Sequence, residues 1–186
     1  MIKSIGISAK IGLLGRIAAT DPGLAPLVSG MLSVESRHDA WLRHIVNGTL
    51  TNASLDTGIS AVWAYNLALS MTVPGSCPVE VALPILPKLN ISEVSELSFP
   101  KQMEFMWDAS QATFAAEAGK KLLIGWVNGF NAPIYSPLNI TSRGRGSAVM
   151  PEMQGTSFAV VTAQTPNNNE DLALATLAGP AMILLP

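Results

Sequence analysis

Hydrophobic and polar positions near the start of the chain alternate with a helical period. Leu24, Val28, Met31, Glu35, His38, Leu42 and Ile45 are spaced 4, 3, 4, 3, 4 and 3 residues apart, the rhythm of a core-facing stripe on a bundled helix. Ile5, Gly12, Leu13 and Ile17 lie more loosely on one side of the preceding segment and predict a short helix over 4–19. Thr20-Asp21-Pro22 separates the two: Asp21 is a good N-cap and Pro22 suits the first helical position. The second helix is predicted from Pro22 to Val46 and ends at Asn47-Gly48. So short a connection predicts an antiparallel helical hairpin.

Beyond Gly48 the helical period is lost. Residues 48–60 are rich in Thr, Asn, Ser and Gly and read as loop. The apolar run from Ala61 to Val73, with Trp63 and Tyr65, fits a short helix or a buried strand equally well. Pro74, Pro78, Pro84 and Pro87 make 73–88 an extended, irregular crossing. Short strand-like segments then follow near 95–99, 103–107, 121–127, 131–135, 146–150, 156–163 and 180–185. Turn signals such as Asn128-Gly129, Arg143-Gly144-Arg145-Gly146 and Pro166-Asn167-Asn168-Asn169 separate them. Residues 108–118 fit a helical turn between strands. The expected fold is α+β: an N-terminal helical hairpin over 1–47, an irregular Pro-rich connection over 48–93, and a small antiparallel β-sandwich over 94–186. Two helices alone bury an apolar stripe poorly, so the hairpin must dock on the sandwich, on a partner chain, or on both.

Composition narrows the class. Of 186 residues 48% are hydrophobic and 13% charged, which excludes a disordered chain. The net charge is −2 and no Lys/Arg block occurs, so neither nucleic acid nor an anionic membrane is an expected partner. No run of 18 apolar residues predicts a membrane span. Lys10 and Arg16 interrupt any signal-peptide core near the N-terminus. Export is indicated instead by four Asn-x-Ser/Thr sequons, at Asn47, Asn52, Asn90 and Asn139, which are the expected glycosylation sites. Cys77 stands alone, excludes an intrachain disulfide, and is expected to be a half-buried structural thiol.

Glu35 and His38 read first as a buried polar pair at a helical interface, and second as the residues that carry candidate metal chemistry. They interrupt an apolar stripe, where a buried carboxylate is costly unless it is paired, hydrogen-bonded or metal-bound. Glu-x-x-His projecting into a helical bundle is half of a di-metal arrangement. The other glutamates, Glu80, Glu93, Glu96, Glu104, Glu117, Glu152 and Glu170, have no His three residues on. His44 is displaced from His38 by about 240° around the helix axis and faces elsewhere. Arg37, Asp39 and Arg43 fall off the stripe and read as a solvated or interfacial charge set, and Trp41 as a core or interface anchor. Ser54, Asp56 and His44 form no credible triad, no Gly-x-Ser-x-Gly elbow occurs, and Gly144-Arg145-Gly146 reads as a hairpin tip rather than a phosphate cradle.

The segment from Leu13 to Arg43, through Ala19-Thr20-Asp21-Pro22 and Ser33-Val34-Glu35-Ser36-Arg37-His38-Asp39-Ala40-Trp41-Leu42-Arg43, resembles the end of the ferritin-like domain in fungal stress-response and plant desiccation-related proteins. The final helix of that family carries a VE-x-RH motif after a TDP-type corner. Pro74-Gly75-Ser76-Cys77-Pro78, Pro151-Glu152-Met153-Gln154-Gly155-Thr156-Ser157 and Ala178-Gly179-Pro180-Ala181 are similar to the secreted fungal members, which follow the bundle with a β-rich region. The resemblance spans about residues 10–186. It implies a truncated bundle, since the family has four long helices and this chain has room for two.

Two functions follow as expectations. The first is a secreted or cell-wall-associated structural or stress-associated protein that acts by self-association, with no catalysis by the single chain and no cofactor. The second is a metal-binding ferritin-like oxidoreductase or metal-storage module, in which Glu35 and His38 of two chains together hold Fe, Mn or Zn. Both imply a homo-oligomer formed through the hairpin.

Overall fold

A computed structural model describes residues 2–46, 53–79, 81–92, 100–110 and 121–185. Helix α1 spans Ile2–Thr20 and α2 spans Ala25–Ile45, joined by a 3₁₀ turn at Pro22–Leu24. Pro22 opens that turn, while Asp21 makes no side-chain cap hydrogen bond. The expected stop at Asn47-Gly48 and the expected strand at 95–99 lie outside the described residues, as does most of the helical turn considered over 108–118.

The run after Gly58 resolves as a helix, α3, over Ala61–Leu69. Ser60 decides it: its hydroxyl accepts from the Trp63 amide and caps the first turn. Among the described residues eight strands follow: β1 Leu89–Ser92, β2 Lys101–Trp107, β3 Leu123–Asn128, β4 Ile134–Pro137, β5 Asn139–Ser142, β6 Arg145–Met150, β7 Thr156–Thr162 and β8 Thr176–Leu184. A short helix, α4, occupies Asn169–Leu174 before β8, capped by the Asn168 side chain. α3 and β1 fall in the segment expected to be irregular, and β1 belongs to the first of two four-stranded antiparallel sheets. β5 and α4 have no counterpart among the predicted segments. β5 is four exposed residues with no alternation, and α4 is under two turns long.

The sheets run β1-β2-β6-β5 and β4-β3-β7-β8. They face one another across a core of Met103, Phe105, Ile124, Trp126, Met150 and Val161, where the Phe105 and Trp126 rings meet edge to face at 5.7 Å. β4 and β5 belong to different sheets and are separated only by Leu138, so this residue turns the corner of the sandwich. β7 is buried at every position. Ala159 and Val161 point into the sandwich, while Phe158 and Val160 point into a second core with Ile5, Ile59, Trp63, Leu67 and Leu172. That second core is the helical layer, which explains why β7 reads as a continuous apolar run rather than an alternating one. The order outward from it is α3, then α1, then α2, with α2 resting on α1.

Candidate functional site

α1 and α2 meet along a polar seam. Glu35 is half-buried, and Lys10 Nζ donates to its Oε2 at 2.7 Å, with Lys3 Nζ at 3.8 Å from Oε1. Gly6 makes room for this carboxylate: a Cβ there would stand 3.2 Å from Glu35 Oε2. One turn further along α2, Asp39 is buried. Arg43 Nε donates to Asp39 Oδ2 at 2.7 Å, the Ser4 hydroxyl donates to Asp39 Oδ1 at 3.1 Å, and Arg43 Nη2 donates to Ser4 Oγ at 3.2 Å. Asp56 feels this cluster. Burial pushes its carboxyl above the usual range, the Arg43 guanidinium draws it back, and the Asp39 carboxylate raises it further.

The apolar stripe therefore does not face the core. Of its members Val28 is buried, but Leu24, Met31, Leu42 and Ile45 are exposed, and Leu27, Val34 and Trp41 extend the exposed face, Trp41 being 63% exposed. The inward side of α2 is set by ion pairs with α1 instead, because Glu35, Asp39 and Arg43 meet Lys10, Lys3 and Ser4 there. Thus the two members of Glu-x-x-His part company. Glu35 turns to α1, and His38 is exposed on the outer face. Among the described residues no group of three or more His, Cys, Asp or Glu side chains comes together to hold a metal. His44 is exposed, and Arg37 is exposed and donates to Ser33 Oγ at 3.0 Å.

The partners Lys3, Ser4 and Lys10 were not among the candidate residues. They sit on the other helix, and only the Asp39–Arg43 spacing of four was a local sign of the seam. Asn90 and Asn139 are exposed on β1 and β5, the two edge strands of one sheet. Asn47 and Asn52 lie outside the described residues. Cys77 is exposed rather than half-buried, and its thiol donates to the Val79 carbonyl at 3.1 Å. Val73, Val79 and Val81 near it are exposed as well, so the Pro-rich segment packs no apolar cover over the thiol. No helix of the described residues is long and apolar enough to cross a membrane.

Neither the comparison with protein-family models nor that with curated proteins finds a match for the chain.

Proposed function

We propose that this chain is a structural, self-associating protein whose contact surface is the outer face of α2. The exposed stripe from Leu24 to Ile45 carries the reading. A helix face of this size left in water is unfavourable, and exposed apolar patches mark interaction sites. Glu35 and Asp39 are turned to α1, which leaves the outer face without a carboxylate, and two hairpins joined there make a four-helix layer. Export to the cell surface or beyond belongs to the same reading. Glycans on Asn90 and Asn139 would stand at both open edges of one sheet, where they block strand pairing between molecules. The ferritin-like ancestry and the stress-associated role rest on the VE-x-RH helix and the corner before it.

Sedimentation of the full chain at micromolar concentration tests self-association. A dimer or larger species is expected, and Met31→Glu with Trp41→Glu shifts it to monomer without unfolding it. A compact wild-type monomer refutes the reading. A metal-binding module completed by a second chain is the other reading, favoured by His38 lying within the same face. It requires Glu35 to leave Lys10 and Lys3. Elemental analysis of the purified assembly separates the two, since stoichiometric Fe, Mn or Zn lost in His38→Ala supports the metal site.

A further inference from the structure

A cleft of about 520 Å³ opens where the outer half of α1 meets the β3–β4 turn and the Asn-rich turn before α4. It shares no residue with the outer face of α2. Its floor is built by backbone packing: a Cβ on Gly12 would collide with the Ile59 carbonyl, and the Ile59 amide donates to the Ser8 carbonyl at 3.1 Å. The β3–β4 turn is tied to that floor, because the Gly129 amide donates to Thr57 Oγ1 at 2.6 Å. This turn holds Phe130 at the rim with 69% of its surface in solvent.

The polar groups around Phe130 are mostly uncommitted. Asn131 and Asn167 are exposed, and their side-chain amides have no hydrogen bond among the described residues. Asn169 Nδ2 reaches the Gly58 carbonyl only at 3.5 Å, and its Oδ1 is shielded from solvent with no donor. A shielded acceptor without a donor costs free energy, and a small turn of the amide toward the cleft lets a ligand hydroxyl relieve it. Asn168, in contrast, is spent on capping α4 through Asp171 and so fixes the turn. Arg16 and Glu170 line the same cleft, form no ion pair among the described residues, and balance each other in charge.

An exposed aromatic ring, several amides that both donate and accept, and no net charge select one ligand chemistry. The ligand has an apolar ring face and a margin of hydroxyls that also donate and accept. The volume lies within the range of small-ligand sites. We propose that this cleft binds a short neutral saccharide, with a sugar ring stacked on Phe130 and its hydroxyls held by Asn131, Asn167 and Asn169.

The test is titration of the full-length chain with cellobiose, maltose, mannobiose and diacetylchitobiose, followed by calorimetry and by amide chemical shifts. Saturable binding of at least one is expected, with shifts confined to residues 129–132, 167–170 and the adjoining turn of α1. Phe130→Ala weakens it by about tenfold or more, Phe130→Trp retains it, and Asn167→Ala weakens it. Both truncated positions are exposed, so thermal unfolding of the variants stays at the wild-type value. No saturation by any of these sugars, unchanged affinity in Phe130→Ala and Asn167→Ala, or saturation by adenosine monophosphate alone overturns the proposal.

Discussion

Lys10 of α1 donates to the carboxylate of Glu35 on α2 at 2.7 Å, with both side chains about four-fifths shielded from solvent. The acid that interrupts the apolar rhythm is therefore a pin between two helices. Replacing it by Ala leaves Lys10 partly buried without a counter-charge. Glu35→Ala is expected to lower stability by about 1–3 kcal/mol, read from denaturant midpoints. Wild-type stability in this variant would remove the pin from the account of the hairpin.

Asp56 gives the hairpin a pH dependence. Its folded-state pKa lies above 3.8, chiefly through burial, so the native state holds the proton more tightly than the unfolded chain. Its contribution to stability is therefore full below the ordinary carboxylate range and declines as pH rises through the raised folded value. Asp56→Asn is expected to stabilise the protein at neutral pH, with the gain vanishing in acid. Urea unfolding across a pH series checks both the sign and the window.

Gly12 and Gly15 lie on the same helix and should respond in opposite directions. A Cβ on Gly12 meets the backbone of Ile59, whereas one on Gly15 meets nothing within 4 Å. Gly12→Ala must displace backbone and is expected to cost about 1–3 kcal/mol. Gly15→Ala removes unfolded-state freedom at no steric cost and is expected to add about 0.5–1 kcal/mol. Equal effects of the two in thermal unfolding would contradict the close crossing of α1 over the 58–60 segment.

Tyr135 donates its hydroxyl to the Pro166 carbonyl at 2.6 Å, and burial pushes its pKa up from 10.0 to about 12. The native state thus favours protonated tyrosine. That stability is present below pH 10 and is lost as pH rises toward 12. Ultraviolet titration of tyrosinate is expected to show a late step that disappears in Tyr135→Phe.

Much of the architecture was legible in short-range pattern. The helical hairpin, the turn at Pro22 and the strands β2, β3, β6 and β7 stand within a few residues of where period and turn chemistry put them. β8 begins earlier than expected, at Thr176, and continues through Gly179-Pro180, which looked like its boundary. α3 was ambiguous because Ala61–Leu69 is apolar at every position but Asn66, and it forms a helix capped by Ser60. The candidate site was only half legible. Glu35 stood out as an acid in an apolar rhythm, but its partners Lys3 and Lys10 lie at least 25 residues away on another helix.

What the sequence determined by itself is that α2 is amphipathic and that an acid and an imidazole share its apolar stripe. Those are local properties of side-chain order along one helix. Which side of α2 turns inward was decided only by tertiary structure. Lys3 and Lys10 of α1 pair with Glu35 across the α1–α2 seam, and the Asp39–Arg43 pair within α2 is joined to α1 through the Ser4 hydroxyl. With its polar side held inward, the helix leaves its apolar side, including Trp41, in solvent. A period reports that a helix has two faces, and only the neighbour it packs against determines which face is buried.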